Sequence, residues 1–111
     1  MQVTERVNRD IVICDITGDI DINSSPQIRS EFDKLIAKKI MKIIINLQGV
    51  SYVDSSGLAT LVEMLKRTKG YSGKLLLSNL SDKVKSLFEI TKLERLFDIY
   101  DDEEDATAKF V

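Results

Sequence analysis

The residues with the greatest chemical potential stand in one short run, Asp54-Ser55-Ser56-Gly57, followed by an apolar stripe at Leu58, Leu61, Val62 and Leu65. Two hydroxyls and a carboxylate placed directly before a helical pattern fall at a helix N-terminus. There the first backbone N–H groups lack intrahelical acceptors, and the positive end of the macrodipole is exposed. An anion attached covalently to Ser55 is well accommodated at such a place. Gly57 has no side chain, so a partner's backbone or a phosphate can come close. The same residue types have a plain structural use as well, because Asp and Ser are ordinary helix N-caps. Residue types alone do not separate the two readings. A second pair of carboxylates, Asp19 and Asp21, lies in a polar loop after Gly18. Their spacing fits solvated turn residues better than acid–base machinery or a metal site.

Several chemistries are excluded. The chain has no histidine, which removes Ser-His-Asp and Cys-His nucleophile systems together with histidine-containing zinc sites. Cys14 is the only cysteine, so no internal disulfide can form. Flanked by Val12, Ile13 and Ile16, it reads as a small buried hydrophobe in a strand. Ser72-Gly73-Lys74 has the ending of a phosphate-binding loop, but no glycine stands five residues before Gly73 and a strand follows. No catalytic residue, cofactor or metal is therefore assigned, and the chain is read as a non-enzyme. Sixteen basic and 18 acidic residues give a net charge of −2, and aromatic residues make up 6% with no Trp. A weakly acidic chain without a basic stripe or stacking platform is not expected to bind nucleic acid. No apolar stretch approaches the ~20 residues of a membrane span, and Glu5, Arg6, Arg9 and Asp10 interrupt any signal-like start. No membrane partner and a cytoplasmic location are expected.

The elements that must position these residues follow from periodicity. The 111 residues, 43% hydrophobic and 31% charged, suit one domain over 1–111 with its own core. Strands are predicted over 2–7 and 10–17, the second rich in β-branched residues. Ser25 is expected to cap a helix with Pro26 at its first position, buried through Ile28, Phe32, Leu35 and Ile36. The run at 42–47 lacks alternation, as in a parallel strand covered on both faces. A second helix runs to about Lys69, with Gly70 as its stop. A strand over 75–78, a helix capped by Ser81 and buried through Val84, Leu87 and Phe88, and a strand over 97–100 come next. The acids at 101–105 are placed to open a terminal helix. The order β-β-α-β-α-β-α-β-α implies an α/β fold with a mostly parallel sheet, its first strand pair antiparallel.

The segment Asp54-Ser55-Ser56-Gly57-Leu58, preceded by the apolar run 43–47 and the approach Val50-Ser51-Tyr52-Val53, resembles the signature of the STAS domain. More narrowly it resembles the bacterial anti-sigma-factor antagonists. Their loop after the second strand, Gly-acid-hydrophobic-Asp, is matched by Gly18-Asp19-Ile20-Asp21, and the likeness covers essentially the whole chain. The resemblance implies a single STAS domain: a mixed, mostly parallel sheet of about five strands with helices packed mainly on one side. It implies that Ser55, directly after the Asp, is phosphorylated by an anti-sigma factor that is itself a serine kinase. Asp21, Asp54, Ser56 and Gly57 would share the partner-binding surface. In the implied cycle the unphosphorylated form binds the kinase and releases a sigma factor, phosphorylation of Ser55 turns binding off, and a PP2C-type phosphatase resets the switch. Relatives often carry polar or aromatic residues after the Asp21 position, where this chain has Ile22-Asn23; that bears on partner identity. The alternative is a STAS scaffold without a phosphate cycle, or a regulatory subunit of a transporter or signalling assembly. In the implied fold, Asp21 and Ser55 should meet at one end of the sheet.

Overall fold

The β-branched run at the middle of the chain becomes the middle of a five-stranded sheet. In the computed structural model, which describes residues 1–110, the elements are β1 (Gln2–Asn8), β2 (Ile11–Thr17), α1 (Ser25–Ala37), β3 (Lys42–Gly49), α2 (Ser55–Gly70), β4 (Lys74–Ser78), α3 (Asp82–Ile90), a 3-10 turn (Leu93–Arg95), β5 (Asp98–Tyr100) and α4 (Glu103–Ala108). The strands lie side by side in chain order. β1 pairs antiparallel with β2, and every later pairing is parallel. The expected order and the mixed sheet are therefore present, with helices mainly on one side.

Beyond one-residue shifts at the ends of β1 and β2 and the half-burial of Ile36 and Leu87, four local details differ from the sequence expectation. β3 extends to Gly49, because Gly49 still pairs with Thr17 beyond an irregularity in β2. The cap position of α1 is Ser24, with Ser25 already helical. Gly70 is the last helical residue of α2 rather than its stop; the chain turns at Ser72, whose φ is 68°. Phe97 precedes β5 instead of opening it, and packs edge-to-face on Phe88 with ring centroids 5.6 Å apart.

Period-two alternation divides the strand side chains between two faces. Val12, Cys14, Ile16, Ile43, Ile45, Leu47, Leu75 and Leu77 point to one face. There they meet Ile28, Phe32 and Leu35 of α1, Leu58, Leu61, Met64 and Leu65 of α2, and Val84 and Phe88 of α3. Desolvation in this layer pushes the Cys14 thiol up to about 12, so it is a packing residue and not a reactive thiolate. Ile11, Ile13, Ile44 and Leu76 point to the other face, which α4 covers through Ala106, with Tyr100 and Phe110 alongside. Charges help to hold α4. Arg6 of β1 donates through Nη2 to Asp15 Oδ1 at 2.9 Å and through Nη1 to Glu103 Oε2 at 3.2 Å. Asn46 Nδ2 also donates to Glu103, at 3.2 Å. The hydrogen bond from Arg6 is the main influence holding the Glu103 carboxyl below its ordinary value of 4.5.

Candidate partner-binding site

Two loops at the carboxyl ends of the parallel strands build the site, and the sheet register brings them together. Past the Thr17–Gly49 pair the backbones stay in contact: Gly18 N–H donates to the Gly49 carbonyl at 3.0 Å, and Ile20 N–H to the Tyr52 carbonyl at 2.9 Å. Asp54 N–H returns a bond to the Ile20 carbonyl at 3.0 Å, closing a small parallel bridge between Ile20 and Val53. Ile20, Val50 and Val53 are buried beneath it. Gly18 has φ 109°, a conformation open to glycine and disfavoured for residues with a Cβ. Apolar anchors and one turn glycine thus fix both loops before any polar side chain acts.

Asp54 then ties the loops a second time. As N-cap of α2 it accepts through Oδ1 from Gly57 N–H at 2.8 Å. Its other oxygen accepts from Ile22 N–H in the neighbouring loop at 3.1 Å. One carboxylate therefore caps a helix and clasps the segment that carries Asp21. Asp21 in turn accepts from Asn23 and Ser24 N–H at 2.9 and 3.0 Å. Its carbonyl takes the Ser25 hydroxyl at 2.7 Å. Asp21 thus organises the turn entering α1, a task the sequence reading gave to Ser25.

Ser55 is the first residue of α2 and is exposed. Because the cap is Asp54, the Ser55 side chain is not needed to start the helix. Ser56 is half-buried, and its carbonyl accepts from Thr60 Oγ1 at 3.0 Å. Gly57 departs from its expected place on the partner surface, for it is buried. A Cβ there would lie 2.7 Å from Ile20 Cγ2 and would overlap the Ile20 carbonyl. The close approach that demands glycine is made by Ile20 of the same chain.

Sequence reasoning missed an apolar groove between the approach to α2 and helix α3. Tyr52 and Val53 form one wall, Val84, Leu87 and Ile90 of α3 the other, around about 370 Å³. Ile22, Tyr52 and Ile90 are 68%, 49% and 78% exposed, so the two loops and the end of α3 each carry a large apolar side chain open to solvent. The available signal was that Tyr52 and Ile90 are large apolar residues outside the helical stripes. Among the described residues no group of three or more His, Cys, Asp or Glu side chains is placed to hold a metal ion. Nor, among them, is any helix long and apolar enough to cross a membrane. The arrangement presents one exposed hydroxyl on a capped helix start, with large apolar side chains exposed on the neighbouring loops.

Comparison with known proteins gives this geometry a context. The STAS domain family matches residues 2–106. The chain is similar to the anti-sigma-B factor antagonist of Bacillus subtilis, with 36% identity over 99 residues, 89% of this chain and 90% of that protein. It is similar to the anti-sigma-B factor antagonist of Listeria monocytogenes, with 33% identity over 76% of this chain and 74% of that protein. A crystal structure from Thermotoga maritima, assigned as an anti-sigma factor antagonist, superposes with a TM-score of 0.91 at 26% identity, covering 96% of this chain and 92% of that one.

Proposed function

The chain belongs to the STAS domain family, among its bacterial anti-sigma factor antagonists, and from that premise we propose that Ser55 is the phosphorylation switch of an anti-anti-sigma factor. Its general role is partner switching. In the finer reading, the unphosphorylated protein binds an anti-sigma factor that is itself a serine kinase, and a sigma factor is released. The kinase phosphorylates Ser55 and the complex separates. A PP2C-type phosphatase restores the binding form. Asp21 and Asp54 hold the surface in shape, Ser56 lies next to the acceptor, and Ile22 and Tyr52 supply exposed apolar contact area.

The observation that carries this reading is the exposure of Ser55 on a helix start already capped by Asp54. A phosphate there adds about −1.5 to −2 charges. The helix N-terminus favours it by roughly 0.3–1 kcal/mol, and repulsion from Asp54 and Asp21 through water opposes it by a comparable amount. The fold is therefore indifferent to the modification. A docked partner is not, because burying an uncompensated charge costs several kcal/mol, and each ~1.4 kcal/mol weakens binding tenfold.

The test is to incubate the protein with its cognate kinase and magnesium ATP, map the phosphate by mass spectrometry, and measure kinase affinity of Ser55→Asp and Ser55→Ala. Phosphate is expected on Ser55. Ser55→Asp should bind at least tenfold more weakly with an unchanged melting temperature, and Ser55→Ala should bind persistently. Phosphate on Ser56 would move the acceptor by one residue. Binding without any phosphate transfer would favour a scaffold.

A further inference from the structure

The charges of this chain sort by end. Asp19, Asp21 and Asp54 lie at the carboxyl ends of the parallel strands, and the acidic run at 101–105 follows β5 at the same end. At the amino ends of those strands, the turns and helix ends carry Arg9, Lys38, Lys39, Lys69, Lys74 and Lys109, all exposed. In the turns 8–10, 38–41 and 71–74 the one carboxylate is Asp10, and Lys42 takes it at 2.9 Å; the turn before β5 sets Lys92 and Arg95 against Glu94 and Asp98. Among the described residues none of the six exposed cations makes an ion pair, whereas Arg6, Arg29, Lys34, Arg67 and Lys85 each do. The net charge of −2 averages two unlike ends.

Two features mark the basic end as more than a solvated surface. Lys42 and Lys74 are direct register partners on neighbouring strands, and among the described residues Asp10 pairs with Lys42 alone. Arg9 and Lys39 adopt φ values of 60° and 52°, a region that suits glycine or asparagine. Among these cations stand two exposed apolar residues, Val7 at 73% and Met41 at 48%.

We propose that this end of the domain docks on an anionic lipid surface, with Met41 entering the headgroup layer and the surrounding cations meeting lipid phosphates. Clustered Lys and Arg are drawn to anionic leaflets, and an apolar side chain among them adds buried apolar area to the electrostatic attraction. A nucleic acid fits less well. The nearby aromatic residues, Tyr71 and Phe110, are half-buried, and Tyr71 donates its hydroxyl to the Ile40 carbonyl at 2.6 Å, so no ring is free to stack on bases. The acidic end is repelled by the same surface, which orients the domain. The 16 residues of α2 span about 24 Å, so a domain docked this way holds Ser55 away from the lipid. The expectation of no membrane partner rested on the lack of a long apolar stretch, and peripheral docking of this kind needs none.

Cosedimentation of the full chain with phosphatidylcholine vesicles, with and without phosphatidylglycerol, at low and high salt tests the proposal. Binding is expected only with phosphatidylglycerol and should fall as salt rises. Lys39→Gln and Lys74→Gln should each weaken it about fivefold, the equivalent of ~1 kcal/mol per cation. Met41→Ser should weaken it as well, while Lys83→Gln at the other end leaves it unchanged, with melting temperatures reporting that each variant folds. Absence of binding at low salt, equal binding to neutral vesicles, or equal sensitivity to Lys83→Gln would overturn it. So would tighter binding of a DNA duplex that depends on Lys39 and Lys74 but not on Met41, which would assign this face to nucleic acid.

Discussion

The two faces of the sheet are closed by different physics. On one, eight strand residues meet the apolar stripes of three helices, and the side chains of Phe32, Ile45 and Leu61 are fully buried. On the other, four strand residues are covered by a helix of six residues that contributes Ala106 and leans on Arg6, Glu103 and Asn46. The Ser78 hydroxyl, two residues beyond Leu76 on that second face, is buried and among the described residues has no hydrogen-bond partner. Burial on the first face depends on contact area and is nearly blind to salt and pH. The second face depends partly on charge and is sensitive to both. The two loops of the candidate site are bolted to the first face through Ile20 and Val53, so the site inherits the more robust of the two.

That contrast can be broken in order of size. Phe32→Ala removes a fully buried ring and should cost about 3–5 kcal/mol, seen as a large fall in denaturant midpoint that is the same at low and high salt. Gly57→Ala places a methyl against the Ile20 backbone, which cannot swing aside as a side chain would. A loss of roughly 1–3 kcal/mol is expected, together with weaker partner binding, because the displaced loop carries Asp21. An unchanged melting temperature would mean that the two loops are not clamped as described.

On the second face the same comparison is sharpened by smaller changes. Ser78→Ala removes a buried, unpartnered hydroxyl and should raise stability by about 1 kcal/mol, measurable as a higher melting temperature. Arg6→Ala breaks an ion-pair network in which the arginine side chain is 48% exposed. Solvent screening limits the loss to less than about 1 kcal/mol, and the loss should shrink at high salt, with faster amide exchange in α4. Last comes pH. Glu103 is depressed below 4.5, first by its hydrogen bond from Arg6. Its contribution is therefore full above 4.5 and is lost as pH falls through the folded value. Acid should release the α4 amides before those of α1 and α2, and Arg6→Ala should reduce that difference.

Much of this was legible in the sequence for stated reasons. The element order, the parallel sheet and the helix stripes follow from periodicity, because side-chain direction is set by local backbone geometry. Ser81 was read correctly as a cap, accepting from Val84 N–H at 3.2 Å. Two classes of fact were hidden. Gly57 and Asp54 do their work across the loop pair, toward Ile20 and Ile22, and no local pattern reveals a partner that distant. The groove beside Tyr52 and the sorting of charges by end are sums over separate elements, visible only once register places those elements in space.

Strand order in the sheet repeats strand order in the chain, which has a consequence for synthesis. Each strand that leaves the ribosome finds its neighbour already present at the growing edge, and none has to be inserted between two formed strands. Both loops of the candidate site, the clasp between them and the helix that displays Ser55 are encoded by Gly70. The two loops can therefore begin to assemble while residues 71–110 are still being translated, and the later strands extend a platform already laid down.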